Sequence, residues 1–384
     1  MVGSAVTQTR APDPGSDDVR HMRAALALAD RNLGRVWPNP SAGCVIVRAG
    51  RVVGRGWTQP GGRPHAEVEA LGRAGAAARG ATVYVSLEPC CHWGRTPPCT
   101  DALTAAGVAR VVYAVDDPDP RVSGKGAERL RAAGIDVRSG VLAAEAEALN
   151  EGFFRRMQDG RPLVTLKVAT SLDGRIAAHT GASRWITGAP ARAHGHLLRA
   201  RHDGVMVGIG TALADEPQLT CRLAGLEDRH PVRIVVDSRL RLPLTARLVQ
   251  EAAEAPVWLL TLPDADPARR HAFEDCGVTV ISVSPRETGT LDMAAAMAAL
   301  AGRGLTRVLV EGGGRLAATL LRDDLVDHLE WFRAPTIIGG DGVPAAVAFG
   351  IVRPDDAPRF ERVAVRELGV DILERYRRLR HERV

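Results

Sequence analysis

Apolar and polar positions over the first 160 or so residues predict helices and short strands in alternation. A helix is expected over residues 17–34, where Asp17 and Asp18 offer an N-cap. The apolar face of this helix consists of Met22, Ala25, Leu26, Ala29 and Leu33. Two strands follow over residues 44–48 and 51–56, and a tight turn at residues 49 and 50 joins them.

The same part of the chain contains three further predicted strands, over residues 81–87, 109–115 and 135–138. Helices are expected to begin near Pro64 and near Cys99, and a third to cover residues 126–133. Helices that alternate with short apolar strands are typical of an α/β layer. We therefore expect a sheet that is largely parallel after the opening hairpin.

A helix over residues 145–157 leads out of this unit, and the helix-breaking sequence Asp159-Gly160-Arg161-Pro162 follows it. We place a domain boundary there. Strands are predicted beyond it over residues 163–169, 204–208, 232–237, 257–261, 278–282, 307–310 and 329–334. Helices are predicted over residues 189–201, 291–301 and 316–321. The two halves differ in pattern, so the sequence predicts two different α/β domains and no duplication.

Composition excludes several classes of protein. Of 384 residues, 45% are hydrophobic and 25% are charged, which is average for a globular chain and excludes a largely disordered or fibrous one. No apolar stretch approaches the roughly 18 residues that a membrane span needs. Residues 1–18 contain no apolar core flanked by basic residues, so we expect a flexible tail there and no secretory signal.

Charge and aromatic content argue against a nucleic-acid partner. The net charge is +5, without a run of basic residues, and aromatic residues make up only 4% of the chain.

The six cysteines are too few and too scattered for a secreted disulfide scaffold. We therefore expect a cytoplasmic protein, and we interpret the three cysteines between residues 90 and 99 as candidate metal ligands.

A zinc site is predicted from His65, Cys90 and Cys99. One histidine and two cysteines leave a tetrahedral zinc ion one open position for water, which is the pattern of catalytic sites. Glu67, two residues after the histidine, is placed to take a proton from that water and return it to a leaving amine. This combination is the pattern of the zinc deaminases of nucleobases.

The spacing of the cysteines leaves two questions open. Eight residues separate Cys90 from Cys99, whereas the short deaminase signature has two. Cys91 could replace Cys90 as a ligand. A structural zinc site, or ordinary buried thiols, is the alternative to a catalytic centre.

The second half carries weaker signals. Glu311-Gly312-Gly313-Gly314 ends a predicted strand and opens a helix, so its backbone amides could bind the phosphates of a dinucleotide, although three glycines are often only a turn. Polar loops at residues 171–174, 183–187 and 215–220 lie at the ends of strands or helices, where α/β folds bind ligands. By itself, this half is predicted to bind a nucleotide.

Four segments together resemble the bifunctional deaminase–reductase family of riboflavin biosynthesis. They are Pro38-Asn39-Pro40, GCVIV at residues 43–47, PHAEVEAL at residues 64–71 and LEPCCHWGRTPPC at residues 87–99. The resemblance extends from about residue 19 to the C-terminus and includes the long cysteine spacing. It implies an α/β protein with a cytidine-deaminase-like three-layer domain over residues 19–158 and a dihydrofolate-reductase-like domain over residues 162–384.

For the first domain, the resemblance implies that His65, Cys90 and Cys99 bind Zn²⁺ and that Glu67 is catalytic. The implied substrate contacts are Asn39, His92 and Arg95, of which Arg95 suits a ribose phosphate. From local sequence alone, Asn39 could instead be a turn residue and His92 a solvated loop residue. The resemblance assigns no clear role to Trp37 or Trp93.

For the second domain, the resemblance implies bound NADPH. The implied substrate residues are Ser183, Arg199, Leu219, Arg222 and Glu311. The implied cofactor residues are Ala169, Trp185, Thr211, Asp215, Ser238, Gly313, Gly314, Arg315, Leu316, Ala317, Ala318 and Thr319. From sequence alone, Arg199 and Arg222 are equally well read as solvated charges, and Leu219 and Trp185 would be core residues. Lys167, one of only two lysines, is given no role.

The family's activity is therefore the expectation for the whole chain. The first domain would deaminate a phosphorylated diaminopyrimidine, and the second would reduce its ribosyl group to ribityl with NADPH. The resemblance also implies a homo-oligomer. Two rival hypotheses are a deaminase of nucleic acid or nucleotides whose second domain only binds, and a non-catalytic zinc module beside a nucleotide-sensing domain.

Overall fold

The computed structural model describes residues 15–379. These residues form two compact units. The first comprises residues 15–32, Ser41–Gln59 and Arg63–Asn150, and the second comprises Leu33–Pro40, Pro60–Gly62 and residues 151–379. The predicted tail over residues 1–18 lies mostly outside the described residues.

The first unit contains five helices and five strands within its described residues. In chain order they are α1 (Ser16–Ala29), β1 (Gly43–Arg48), β2 (Arg51–Trp57), α2 (Ala66–Ala74), β3 (Thr82–Val85), α3 (Cys99–Ala105), β4 (Arg110–Tyr113), α4 (Lys125–Ala132), β5 (Asp136–Arg138) and α5 (Ala143–Gln158), which continues past Asn150 into the second unit. The strands form one sheet in the order β2-β1-β3-β4-β5. Strand β1 is antiparallel to β2 and β3, and the pairs β3–β4 and β4–β5 are parallel. The sheet is thus parallel from β3 onward, after the opening hairpin of β1 and β2, as predicted.

Helices pack closely on both faces of this sheet because glycines leave room for them. A Cβ atom on Gly43 would lie 2.0 Å from the carbonyl oxygen of Ala25 in α1. A Cβ atom on Gly56 would lie 2.2 Å from the carbonyl oxygen of Ala66 in α2. Gly43 pairs with Trp57, and Gly56 pairs with the next residue, Cys44, so the two glycines face opposite sides of the sheet. This arrangement gives the three layers that the resemblance implies.

Helix α1 differs from the prediction at both ends. It begins at Ser16 with Gly15 as its N-cap, so residues 16–18 are helical and do not belong to the tail. Asp18 does not cap the helix, because its buried carboxylate accepts hydrogen bonds from the Tyr84 hydroxyl at 2.9 Å and from Arg110. The helix ends at Ala29 and a 3₁₀ turn, Asp30–Asn32, follows it, so Leu33 lies outside the helix.

The second unit adds eleven strands and six helices within the described residues. The strands are β6 (Leu163–Thr170), β7 (Arg175–Ala177), β8 (Gly204–Gly208), β9 (Val232–Val236), β10 (Val257–Thr261), β11 (Thr279–Ser282), β12 (Arg307–Glu311), β13 (His328–Arg333), β14 (Val343–Pro344), β15 (Phe360–Leu368) and β16 (Asp371–Arg378). The helices are α6 (Ala189–Ala200), α7 (Ile209–Asp215), α8 (Arg247–Gln250), α9 (Pro267–Asp275), α10 (Met293–Gly302) and α11 (Gly314–Arg322).

Nine of these strands form one sheet in the order β11-β10-β9-β8-β12-β6-β13-β16-β15. The seven strands from β11 to β13 run parallel, whereas β16 and β15 continue the sheet as an antiparallel hairpin. Each face of the sheet is covered by its own apolar core, one around Met206 and Leu300 and the other around Leu259 and Phe273. Helices therefore cover both faces, as expected for a parallel sheet.

None of the helices in residues 15–379 is both long enough and apolar enough to cross a bilayer.

Candidate functional site

The predicted zinc ligands come together in the first unit. Their ligand atoms lie within 4.8 Å of one another. His65 Nδ1 is 3.6 Å from Cys90 Sγ and 3.3 Å from Cys99 Sγ. His65 immediately precedes α2, Cys99 is the first residue of α3, and Cys90 lies in the loop after β3. One imidazole and two thiols at these separations are a donor set that suits zinc, so the residues fit the predicted metal.

The two adjacent cysteines point in different directions. The Cys91 thiol donates a hydrogen bond to the carbonyl oxygen of Arg121 at 3.5 Å and is not part of the ligand cluster. The Cys90 thiol accepts a hydrogen bond from the backbone N–H of Cys99 at 3.3 Å. The structure therefore selects Cys90 over Cys91, a choice that the sequence leaves open.

Glu67 lies in the first turn of α2, next to the ligand cluster. It is almost fully buried and its side chain interacts with the Cys99 thiol. Burial raises the pKa of the Glu67 carboxyl group above its ordinary value, even though His65 opposes this effect. A carboxyl group beside the ligand cluster can accept a proton from an attacking water molecule and donate it to a leaving group.

The predicted substrate contacts of this site fall in two different places. His92 and Arg95 lie in the loop between Cys90 and Cys99, where His92 is half-buried and Arg95 is exposed. The Nδ1 atom of His92 is buried and has no hydrogen-bond partner in the described structure, which leaves it available to a ligand only after a local shift. Asn39 belongs to a segment of the second unit, and its amide donates a hydrogen bond to the carbonyl oxygen of Gly62 at 3.0 Å.

The two tryptophans that the sequence left without a role differ in environment. Trp93, in the same loop as His92, is 71% exposed. Trp37 packs edge-on against Trp258 in the second unit, with ring centroids 6.3 Å apart. Trp37 is thus a packing residue in the described structure.

Two of the predicted substrate residues of the second unit form an ion pair. Arg199, on α6, donates to both carboxylate oxygens of Glu311, at 2.5 and 2.8 Å. A third hydrogen bond joins Arg199 to the carbonyl oxygen of Thr220 at 3.1 Å. Arg199 is therefore largely buried and is not a solvated helix residue. The two residues are 112 positions apart in the chain, so only the fold brings them together.

Lys167 is a third charged residue at this place and was not predicted to be functional. Strand β6 places it beside Glu311 in register, with both side chains on one face of the sheet. Its ammonium group lies 5.5 Å from the centre of the Phe332 ring. Burial lowers the pKa of Lys167, and Arg199 lowers it further, against the opposing effect of Glu311. The sequence feature that could have indicated a role for Lys167 is its position as a lysine within an otherwise apolar strand.

Burial alone would raise the pKa of Glu311. Arg199 and Lys167 outweigh this effect and lower that pKa to about 2, so the Glu311 carboxylate stays ionised. His196, one turn before Arg199 on α6, also faces this cluster and its Nδ1 lies 3.1 Å from the carbonyl oxygen of Thr220. Burial and the neighbouring arginines lower the pKa of His196.

The other predicted substrate residues differ in exposure. Ser183 is half-buried in the loop before α6. Arg222 is exposed and donates to the side chain of Gln218 at 3.0 Å. Leu219 is only 2% exposed and packs in the apolar core, so its side chain is a core residue and only its backbone could meet a ligand.

Several of the predicted cofactor residues lie near the point between β8 and β12 where the chain connections change direction. After β8 the chain continues towards β9 on one side, and after β12 it continues towards β13 on the other. Such a change of direction at the carboxyl ends of parallel strands creates a crevice that binds ligands in open α/β sheets. Ala169, Thr211, Ser238 and Gly313 all lie at or just beyond the carboxyl ends of neighbouring strands.

The glycines in this crevice leave space that a side chain would fill. Gly313 has a φ of 88°, and a Cβ atom there would lie 3.1 Å from the Thr211 hydroxyl oxygen. Helix α11 begins at the next residue, and the amide of Ala317 already bonds to the carbonyl oxygen of Gly313. The free amides are thus those of Gly314, Arg315 and Leu316, whereas Ala318 and Thr319 donate within the helix. This glycine-lined helix N-terminus fits the phosphates of a dinucleotide.

Trp185 and Asp215 are both exposed. Trp185 is 70% exposed, so it is not the core residue that local sequence would predict. The guanidinium of Arg192 lies 4.6 Å from the centre of the Trp185 ring. Arg184 donates to the carbonyl oxygen of Asp215 at 3.2 Å, which joins the loop before α6 to the end of α7.

Comparisons with known proteins match both units. A family model of the RibD C-terminal domain matches residues 162–373, and one of the cytidine and deoxycytidylate deaminase zinc-binding region matches residues 15–115. The riboflavin biosynthesis protein RibD of Escherichia coli (strain K12) is 43% identical over 366 residues, which cover 92% of this chain and 98% of that protein. The chain belongs to the RibD family.

Solved structures agree with this assignment. RibD of Acinetobacter baumannii, form 1, has a TM-score of 0.85 and 38% identity, and the match covers 94% of this chain and 99% of that one. A diaminohydroxyphosphoribosylaminopyrimidine deaminase/5-amino-6-(5-phosphoribosylamino)uracil reductase from Thermotoga maritima has a TM-score of 0.82 and 36% identity, with the same coverage.

Membership of the RibD family confirms several predictions. The chain is a bifunctional enzyme of riboflavin biosynthesis, with hydrolytic deaminase and reductase activities. The predicted fold class, a cytidine-deaminase-like domain followed by a RibD reductase domain, is confirmed, as are the cofactors Zn²⁺ and NADPH. The comparisons do not favour a deaminase whose second domain only binds.

Proposed function

We propose that the first domain hydrolyses the 2-amino group of 2,5-diamino-6-(5-phosphoribosylamino)pyrimidin-4-one and that the second reduces the ribosyl group of 5-amino-6-(5-phosphoribosylamino)uracil to ribityl. The observation that carries this proposal is that one chain holds a His–Cys–Cys cluster beside a buried glutamate, and a buried cluster of charges beside a glycine-lined crevice. The domains are assigned to residues 19–158 and 162–384.

In the deaminase, His65, Cys90 and Cys99 would hold the metal. Zinc, when bound, lowers the pKa of a water molecule towards about 7. Glu67 takes a proton from the attacking water at its carboxylate and delivers it to the departing amine, so that ammonia leaves. The remaining hydroxyl proton passes to the adjacent ring nitrogen as the ring carbonyl forms. His92, Arg95 and Asn39 would bind the substrate, with Arg95 on its phosphate.

In the reductase, Ala169, Trp185, Thr211, Asp215, Ser238 and the start of α11 would hold the cofactor. NADPH, when bound, supplies a hydride. Ser183, Arg199, Arg222, Glu311 and the backbone at Leu219 would bind the substrate.

Ring opening also requires a proton on the ribose ring oxygen. Arg199 keeps its protons at any ordinary pH and Glu311 is ionised, so neither can provide one. Lys167, the buried cationic residue that lies beside Glu311 in register, is placed to donate it. The hydride would then bond to the anomeric carbon as the bond between that carbon and the ring oxygen breaks.

We also propose a cytoplasmic homo-oligomer that acts on a small phosphorylated pyrimidine and binds no nucleic acid. The even charge and the low aromatic content support the last point. Strand β15 supports self-association, since it is the outer strand of the nine-stranded sheet and exposes Val363 and Val365.

Product analysis by mass spectrometry tests the proposal. The wild-type chain, supplied with the diaminopyrimidine ribosyl phosphate, should give the deaminated product without NADPH and the deaminated, reduced product with NADPH. Glu67→Gln should retain zinc but lose ammonia release by at least about 100-fold, because general acid–base catalysis contributes 10²–10⁴-fold. The same variant should still reduce the deaminated intermediate when it is supplied.

Two results would contradict the proposal. A zinc-loaded, folded wild-type chain that leaves the diaminopyrimidine unchanged would refute the deaminase assignment. Loss of both activities in Glu67→Gln, with zinc and fold retained, would show that the two sites are not independent.

A further inference from the structure

We propose that Arg129 is a positioning residue of the zinc site, because it links the two chain segments that carry the thiolate ligands. This inference rests on the proposed ligation of zinc by Cys90 and Cys99. Arg129 itself lies on α4 and is outside the ligand cluster.

The contacts of Arg129 connect the two segments directly. Its Nη1 atom donates to the carbonyl oxygen of Cys91 at 3.0 Å, and its Nη2 atom lies 2.7 Å from the Asp101 carboxylate. Cys91 is the residue after one thiolate ligand, and Asp101 is two residues after the other. Because the guanidinium group is planar and rigid, the two contacts fix the separation of the segments.

Helix α4 is itself fixed to the segment before Cys90. The buried carboxylate of Glu88 accepts hydrogen bonds from the backbone N–H groups of Gly124 at 2.9 Å and Ala127 at 3.0 Å. A Cβ atom on Gly126 would lie 2.2 Å from the carbonyl oxygen of Pro89, so α4 touches this segment directly. Arg129 therefore extends from a helix that cannot shift without disturbing the approach to Cys90.

Arg129 also helps to decide which of the adjacent cysteines faces the metal. Cys91 is held at two points: its carbonyl oxygen by Arg129 and its thiol by the carbonyl oxygen of Arg121. With Cys91 held in this orientation, the Cys90 thiol is the one directed at His65. Without Arg129, the carbonyl oxygen of Cys91 would lose this hydrogen bond and only its thiol would remain held.

The test is zinc retention by the full-length chain in the absence of substrate, measured by competition with a chromophoric chelator. In Arg129→Ala, we expect the apparent zinc affinity to fall by about 10- to 100-fold, the usual effect of losing a group that orients metal ligands. Arg129→Lys should fall between Arg129→Ala and wild type, since one ammonium group cannot make both contacts in the same geometry.

Arg131→Ala is the matched control. Arg131 is an exposed arginine on the same helix, and its contact is with the carbonyl oxygen of Val137, away from the ligand segments. This variant should retain zinc like the wild type. Circular dichroism and cooperative thermal unfolding, measured on each variant, report that the chain, including the first unit, is folded.

A second readout separates positioning from general destabilisation. With Co²⁺ in place of Zn²⁺, the visible absorption of a tetrahedral site with two thiolates should weaken or shift in Arg129→Ala and remain unchanged in Arg131→Ala. If Arg129→Ala fails to fold, the comparison of Arg129→Lys with Arg131→Ala decides the question.

The proposal is overturned if Arg129→Ala, or Arg129→Lys where only that variant folds, binds zinc as tightly as Arg131→Ala. Failure of the underlying zinc assignment would look different, because the wild-type chain itself would then bind no zinc.

Discussion

The pKa values of two buried carboxyl groups in this chain are shifted in opposite directions. Burial raises the pKa of Glu67, which makes its carboxyl group suitable for moving a proton. Burial acts in the same direction on Glu311, but Arg199 and Lys167 outweigh it and lower the pKa to about 2. Glu311 is thus a fixed negative charge that holds Arg199 and Lys167, and it does not exchange protons near neutral pH.

Glu311→Gln tests this interpretation. Because the folded-state pKa is lower than the ordinary 4.5, ionised Glu311 stabilises the fold above about pH 4.5, and this stabilisation is lost as the pH falls towards 2. The variant should be less stable at pH 7 by about 3 kcal/mol, since it leaves buried cations unpaired. The stability difference from wild type, measured by urea unfolding, should shrink between pH 4.5 and pH 2.

The control for this prediction is Glu287→Gln. Glu287 is exposed and makes no ion pair within residues 15–379, so its replacement should leave stability and both activities unchanged. Glu311→Gln should also slow reduction while leaving deamination intact. A stability difference that stays constant from pH 7 to pH 2 would show that the Glu311 charge does not stabilise the fold.

The segments that follow strands β8 and β12 form the proposed cofactor site. Gly313 is needed there for two reasons: its backbone has a positive φ, and a side chain would press on Thr211. The pattern of apolar residues predicted both strands, since each is a buried run. It could not predict that they are neighbours, because the chain between them forms three other strands.

Gly313→Ala should weaken cofactor binding. The added methyl group meets the Thr211 hydroxyl and strains the turn that leads into α11, so we expect the KM for NADPH to rise at least about 10-fold. Gly302→Ala is the control, because no atom lies within 4 Å of a Cβ at that helical position. Steady-state kinetics of reduction, with deamination as the internal reference, measure the effect. Equal KM values in the two variants would contradict a cofactor role for this turn.

The sequence analysis missed the hairpin of β15 and β16. Strand β15 is exposed along most of its length, so it lacks the apolar alternation by which strands are predicted. Ion pairs join its partner β16 to neighbouring strands, among them Arg375 with Glu330 at 2.7 Å and Arg377 with Glu361 at 3.0 Å. Such cross-strand pairs depend on register, which a single chain segment does not reveal.

For the whole molecule, the outer edge of the nine-stranded sheet bears on the proposed oligomer. Strand β15 is nine residues long and, within the described chain, pairs on one side only. Val363 and Val365 are each about half exposed on it. An unpaired strand of this length with exposed apolar residues favours pairing with another chain.

Val365→Lys should weaken self-association, because a charge on the exposed strand opposes edge pairing. We expect a shift towards the monomer in light scattering coupled to size-exclusion chromatography at micromolar concentration. Val352→Lys, at an exposed valine that lies outside every strand, is the control. A wild-type chain that is already monomeric would contradict the proposed oligomer. An oligomer that both variants leave intact would contradict the role of β15.

The sequence by itself determined the buried strands, the types of metal ligand and the family. Each of these depends on residues that are close together in the chain: an apolar run, a histidine two residues before a glutamate, a cysteine after a proline. Tertiary structure alone decided which distant residues meet, such as Arg199 with Glu311, and which way neighbours point, such as Cys90 and Cys91. Strand order and turn geometry set these contacts, and both depend on packing between distant segments.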